Sequence, residues 1–163
     1  MLFTSHAIKI LTEDHSKLRK EIAMLKNINL HLNQRHLSFA RVLPHLTSHN
    51  KREEKIIYSY MKLTDEDDLR IWALEGREEH QLIDQLIKKM LWEEISEDDW
   101  TEKARVLAEL IEHHIDEEEE EIFPTLTKEL DEEIDTKLSN QYEDLGIDLI
   151  KKMYVNNQKT AHP

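Results

Sequence analysis

Residues 114–124 of the chain read HIDEEEEEIFP, and residues 49–59 read HNKREEKIIYS. Both stretches share one frame: a His, a Glu four residues later, a second Glu, and then an aliphatic–aromatic pair. Residues four apart on an α-helix lie on one face, so each stretch presents an imidazole and a carboxylate in the same direction. These pairs are His49 with Glu53 and His114 with Glu118.

Both His–Glu pairs lie in register with apolar residues of their own helices. The apolar positions are Val42, Leu46 and Ile56 in the first stretch, and Leu107, Ile111 and Ile122 in the second. An ionised carboxylate in an apolar interior is costly by many kcal/mol unless it is paired or binds a metal. Two inward-facing pairs therefore predict cations bound between helices.

The composition favours one all-α domain. A chain of 163 residues suffices for one domain with a substantial core, whereas two domains would each be small. Only 2 Gly and 3 Pro are present, and the apolar residues recur with helical spacing. We expect four main helices and an additional C-terminal helix that packs over an open side of the bundle.

The expected helix bounds follow from caps and apolar periodicity. The first helix is expected to start near Thr4 or Ser5, with a turn near Asn33. The second helix is expected to run to about Met61, and Pro44 kinks it unless the helix starts there. The third runs from the capping box Thr64–Asp67 to about Trp92, the fourth from Ser96 to about Phe123, and the fifth from about Asp131 to Met153. The expected domain covers residues 1–155, and a frayed tail covers residues 156–163.

The charge and the absence of Cys limit the partners. A net charge of −13 without a basic cluster disfavours nucleic acid and an anionic membrane surface. Without Cys, any metal must bind to nitrogen and oxygen, which suits iron, manganese or zinc.

No apolar run reaches the length of a signal region or a membrane span, which predicts a cytoplasmic protein. No Ser-His-Asp set or phosphate-binding Gly loop indicates a hydrolase or a transferase.

Two more His residues, His15 and His80, lie in the apolar register of the first and third helices. A single His on an apolar stripe is more often structural than a ligand. Four helices that each contribute one such His, together with two inward Glu, favour a metal site. The predicted ligands are His15, His49, Glu53, His80, His114 and Glu118.

The acidic run of residues 117–121 leaves two alternatives open. His113 and Glu117 repeat the His–Glu spacing one residue earlier, so a small rotation of the helix would substitute them for His114 and Glu118. Apart from Glu118, the run is predicted to be a solvated face. Glu121 also turns roughly toward the core and is kept as a possible site residue.

These residues together resemble a known family, the hemerythrin-like or HHE cation-binding proteins. The resemblance rests on EDHSKL around His15, LTSHNKREEKIIY around His49, REEHQLI around His80 and IEHHIDEEEEEIFPTL around His114. It spans about residues 8–126. It implies an up-down four-helix bundle with a non-haem di-iron centre, in which the four His are terminal ligands and Glu53 and Glu118 bridge the irons.

The chain departs from the family at one point. Oxygen-carrying hemerythrins, which the chain otherwise resembles, have two His four apart on the third helix, whereas Gly76 and Asp84 flank His80 at that spacing. A missing ligand is therefore sought elsewhere. The possible additional ligands are His45, His36, Asp84 and Glu121. The remaining His6, His31 and His162 are predicted to be surface residues.

The resemblance implies a metal pair that binds O2, NO or peroxide. The leading hypothesis is a binding or sensing protein for O2, NO or iron rather than an enzyme. The alternative is a di-iron oxidoreductase or iron-handling protein that reduces peroxide, oxidises Fe(II) or donates iron for iron–sulfur repair. The third is a metal-free helical interaction protein. A protein partner that reads the metal state stays open.

Overall fold

The computed structural model describes residues 5–160 and the side chains of residues 5–152. Five helices follow one another, and no strand occurs among these residues. They are α1, His6–Lys26; α2, Leu32–Arg52 continued by a π-helical turn, Glu53–Ile57, and by Tyr58–Met61; α3, Asp67–Trp92; α4, Glu97–Glu117 continued by a π-helical turn, Glu118–Ile122, and by Phe123–Lys128; and α5, Glu132–Thr160. The predicted all-α bundle is confirmed.

Each π-helical turn begins at the Glu of a His–Glu pair. The Tyr58 N–H bonds to the Glu53 carbonyl, and the Phe123 N–H bonds to the Glu118 carbonyl, each five residues back. Isolated π turns inside α-helices occur frequently at functional sites. The repeated sequence frame therefore corresponds to a repeated backbone feature.

Three helix ends differ from the expectation. The first turn comes earlier, at residues 27–31, because the Gln34 side chain accepts from the His31 N–H and stabilises the start of α2 there. Pro44 therefore lies inside α2. Thr64 does not cap α3, because its hydroxyl donates to the Met61 carbonyl and closes α2. Helix α4 continues past Pro124 to Lys128, since Pro124 lies in the first turn of the helical segment Phe123–Lys128, where a proline is tolerated.

The starts of two helices agree with the caps expected from the sequence. Ser5 and Ser96 cap α1 and α4, accepting from the N–H groups of Ile8 and Asp99 at 3.1 Å. Helix α5 runs to Thr160, so residues 156–160 of the expected tail are helical, while residues 161–163, including His162, lie outside the described residues.

Short connections make consecutive helices antiparallel. Helix α1 packs against α2, α4 and α5, and α3 packs against α4. Asp135 of α5 accepts from the His6 N–H at 2.8 Å and the Ala7 N–H at 3.1 Å, so α5 also caps the start of α1. Within residues 5–160, no helix combines the length and the apolar character that crossing a lipid bilayer requires.

The core forms two apolar clusters, one toward each end of the bundle. The first contains Leu18, Ile22, Val42, Ile83, Leu107 and Ile111, and the second contains Leu11, Ile57, Met61, Leu69, Ile122 and Leu126. On each of the four bundle helices, the segment between the two clusters carries a His. The bundle therefore places these four His between two apolar layers.

Candidate metal centre

The six predicted site residues lie together between the two apolar clusters. None of them is more than 2 % exposed. The Nε2 atoms of His15 and His49 are 3.2 Å apart, and those of His80 and His114 are 3.1 Å apart. The members of each pair are 34 residues apart in the sequence. The centre is therefore built from two similar helical hairpins, α1 with α2 and α3 with α4.

The two carboxylates lie between the two pairs of imidazoles. Glu53 directs Oε1 to within 2.9 Å of the His49 Nε2 and Oε2 to within 3.4 Å of the His80 Nε2. Glu118 places its Oε2 3.2 Å from the His15 Nε2 and 3.7 Å from the His114 Nε2. Each carboxylate therefore faces one imidazole of each pair.

Each imidazole is also held from outside through its Nδ1. The outer partners are Glu119 for His15 at 2.9 Å, Tyr142 for His49 at 3.0 Å, Glu54 for His80 at 3.0 Å, and Glu79 for His114 at 2.7 Å. Because these oxygens accept a hydrogen bond, they favour the tautomer with the proton on Nδ1. The Nε2 lone pairs of neutral imidazoles then point inward.

The centre thus has many acceptors and few donors. Among the described side chains, the buried nitrogen and oxygen atoms without a hydrogen-bond partner are Asn50 Oδ1, both carboxylate oxygens of Glu53, and Glu118 Oε2. Three of these four atoms lie in the centre. Facing lone pairs need a cation between them, either a proton or a metal ion.

The charges in the centre shift the pKa values of its ionisable groups. Burial lowers the pKa of His15, but hydrogen bonds to Glu118 and Glu119 outweigh burial and raise it to about 11. Burial likewise lowers the pKa of His114, but Glu118 and Glu53 raise it to about 10. Burial raises the pKa of Glu53, yet the surrounding imidazoles hold it well below its ordinary value. Without metal, the centre therefore holds protons.

Tyr58 occupies the space beside Gly76. Its hydroxyl donates to Glu118 Oε1 at 2.7 Å, and a Cβ on residue 76 would lie 2.6 Å from the same hydroxyl. The Tyr58 ring stacks on His80 with centroids 5.6 Å apart. At the equivalent place in the other hairpin, Phe123 stacks on His15 and brings no hydroxyl. The two halves of the centre are therefore chemically unequal.

The outer partners and Tyr58 were not predicted from the sequence. A signal for most of them was present, since a second Glu follows each inward Glu, an acid precedes His15 and His80, and the aliphatic–aromatic pair contains Tyr58. Glu119 was predicted to be part of a solvated face, but it binds His15 and is only 28 % exposed. Tyr142 had no local signal, because it belongs to α5.

The structure does not bring the four additional candidates into the centre. His36 is exposed and packs edge-on against Trp100. His45 lies 3.8 Å from Asp14, and Asp84 and Glu121 are exposed. The surface assignment of His6 and His31 agrees with their exposure.

The structure does not have the alternative register of α4, because His113 lies outside the centre. The His113 side chain is 70 % exposed, and its Nε2 is 3.9 Å from Glu79. His113, Glu79 and Glu117 form a separate acidic cluster on the surface between α3 and α4. The register of α4 is therefore the one in which His114 and Glu118 face inward.

Two groups in the centre have the composition of a metal site. His15, His49, Glu53 and Glu118 form one group, and Glu53, His80 and His114 form the other, with candidate ligand atoms within 4.8 Å of one another. Glu53 belongs to both. Imidazole nitrogen and carboxylate oxygen suit iron, manganese and zinc. The buried oxygens without partners fit such a cation.

The chain is similar to a known domain family, although no curated protein matches it. A family model described as the hemerythrin HHE cation binding domain matches residues 6–126, which include all six residues of the centre. The chain therefore belongs to the hemerythrin HHE cation-binding domain family.

Proposed function

We propose that the chain holds a pair of iron ions in this centre and binds or senses a small ligand, O2 or NO, there. The observation that carries the proposal is the set of buried carboxylate oxygens without hydrogen-bond partners, Glu53 Oε1 and Oε2 and Glu118 Oε2, facing four imidazole Nε2 atoms. His15 and His49 would hold one ion, His80 and His114 the other, and the two Glu would lie between them. When bound, a ferrous pair supplies two electrons and a coordination position for a small ligand.

The protein's own contribution is to orient these side chains and to exclude water. The outer hydrogen bonds fix each imidazole, and the apolar clusters on both sides keep the centre dry. Tyr58 holds one oxygen of Glu118, so the other oxygen faces the imidazoles. A dry surrounding restricts proton delivery, and this favours reversible binding over reduction of a bound ligand.

The direct test is metal content and optical spectrum after anaerobic reconstitution with Fe(II). We expect two irons per chain and a spectrum that changes with O2 or NO and returns when the gas is removed. A protein that takes up no metal would contradict the proposal and favour the metal-free interaction protein. Manganese or zinc in place of iron would correct the identity of the metal.

A second candidate, di-iron redox or iron-handling chemistry, is favoured by the Tyr58 hydroxyl. Burial and then the charge of Glu118 raise the pKa of Tyr58 well above its ordinary value, so the hydroxyl keeps its proton beside the centre. Repeated turnover of H2O2 or Fe(II) would support this candidate. Tyr58→Phe should then slow turnover several-fold with unchanged metal content, since Phe123 shows that Phe fits the equivalent place. Equal turnover by both proteins would exclude the hydroxyl from the reaction.

Glu119→Ala is expected to weaken metal binding about 10–100-fold, because loss of an outer partner of a metal-bound His typically costs that much. The matched control is Asp116→Ala, which removes the other ion pair of Arg19 without touching His15. Competition with a chromophoric chelator measures both variants. If Glu119→Ala and Asp116→Ala bind metal equally well, Glu119 acts only as a surface charge.

A further inference from the structure

Helix α5 lies outside the matched residues 6–126, yet it reaches the centre through Tyr142. This side chain is 1 % exposed, and its hydroxyl is 3.0 Å from the His49 Nδ1 and 3.3 Å from Asp14 Oδ2. The Arg52 guanidinium lies over the Tyr142 ring, 4.1 Å from its centroid. The outer nitrogen of His49 therefore depends on a helix that is not part of the four-helix bundle.

The direction of each hydrogen bond in this chain of groups follows from the chemistry. If Nε2 of His49 binds a metal ion, the imidazole proton is on Nδ1 and is donated to the Tyr142 oxygen. The hydroxyl then donates its own proton to Asp14 Oδ2. The Asp14 carboxylate is in turn held by Arg52 Nη2 at 2.6 Å and by Lys17 Nζ at 3.2 Å. Every polar group in this series of hydrogen bonds thereby has a partner.

The other hairpin does without such a tyrosine. There, Glu79 precedes His80 and reaches the His114 Nδ1 directly, at 2.7 Å. Asp14 holds the equivalent position before His15, but its side chain is one methylene shorter and stays 3.8 Å from the His49 Nδ1. Tyr142 fills this gap. His49 is consequently the one imidazole of the four whose direct outer acceptor is a neutral hydroxyl.

A hydroxyl accepts a hydrogen bond less strongly than a carboxylate does. An imidazole that donates to a carboxylate is the more basic ligand, so His49 should donate less electron density through Nε2 than the other three. The hairpin that contains His49 should therefore bind its metal ion more weakly than it would with a carboxylate in place of the Tyr142 hydroxyl.

We propose that Tyr142 is a positioning residue of the metal centre, which orients His49 from α5 and thereby sets the metal affinity of the His15–His49 half. This inference rests on the proposed metal pair. It assigns a role in the centre to α5, which lies outside residues 6–126 that match the family model.

The test is Tyr142→Phe, with Tyr60→Phe as the matched control. Phe keeps the ring under Arg52 and removes only the hydroxyl, and the Tyr60 hydroxyl donates to the Glu129 carbonyl. Anaerobic titration with Co(II), followed by visible absorption, should show two binding steps in the wild type and in Tyr60→Phe. In Tyr142→Phe, one of the two steps should weaken about 10–100-fold while the other is unchanged.

A second readout reports on His49 itself. In the zinc-loaded protein, the four Nδ1 protons should exchange slowly with solvent in proton NMR spectra, and Tyr142→Phe should lose the protection of one. Equal weakening of both Co(II) steps, or no change in either step, would overturn the role of Tyr142. A wild type that binds no metal would instead overturn the proposed function, so the two failures are distinguishable.

Discussion

Glu53→Gln is expected to abolish binding of the metal pair. Glu53 is fully buried and faces His49 with one oxygen and His80 with the other, so it is the residue common to both groups of candidate metal ligands. An amide has nearly the same shape but no negative charge, and it cannot offer two anionic oxygens. Since loss of an outer partner costs about 10–100-fold in affinity, loss of this inner carboxylate should cost more than about 100-fold.

Metal analysis after anaerobic Fe(II) reconstitution and desalting measures the effect. Glu120→Gln is the control, because Glu120 belongs to the acidic run but is exposed. Circular dichroism establishes that both variants are helical. Retention of the full metal content by Glu53→Gln would contradict a bridging role for Glu53. Equal loss in both variants would show that the acidic run, rather than the centre, holds the metal.

Removal of the metal is expected to destabilise the protein, and more so at alkaline pH. At a free metal concentration about 1,000 times the dissociation constant, binding one ion stabilises the folded state by about 4 kcal/mol. For a domain of this size, each kcal/mol changes the Tm by about 2–4 °C. Chelation should therefore lower the Tm by roughly 10 °C or more.

The pH dependence follows from the protons that replace the metal. In the metal-free protein, His15 and His114 have pKa values of about 11 and about 10, above the 6.5 of an ordinary His. Groups whose pKa is raised by folding contribute stability that is complete below pH 6.5 and is lost as the pH rises through the folded pKa. Glu53 has the opposite sign, because its pKa is lowered, and its contribution is lost on acidification.

Urea unfolding of chelated and metal-loaded protein at pH 6.5 and pH 9.5 tests this expectation. The chelated protein should lose stability between the two values, whereas the loaded protein should lose much less, because metal has displaced these protons. Metal affinity should correspondingly rise with pH. Equal stability of the chelated protein at both values would mean that the imidazoles hold no protons in place of metal.

The fold class could be predicted from the sequence, and so could the six side chains that converge between the helices. Helical geometry relates His49 to Glu53 and His114 to Glu118 within single helices, and this relation does not depend on how the helices pack. The apolar register then identified which faces point inward. Ser96 was recognisable as a cap for the same reason, and Ser5 as one of two candidates with Thr4, since a cap acts on its own helix.

The side chains that surround the centre could not be predicted, because their positions depend on how the helices pack. Tyr58 is five residues past Glu53 on α2, but its role depends on the space beside Gly76 of α3 and on Glu118 of α4. Glu119 turns from the acidic run toward His15 of α1. Tyr142 reaches His49 from a helix whose sequence carries no metal-binding pattern. Local periodicity specifies the face of a helix that a residue occupies, whereas the partner on that face depends on the packing of other helices, often more than 90 residues away in the chain.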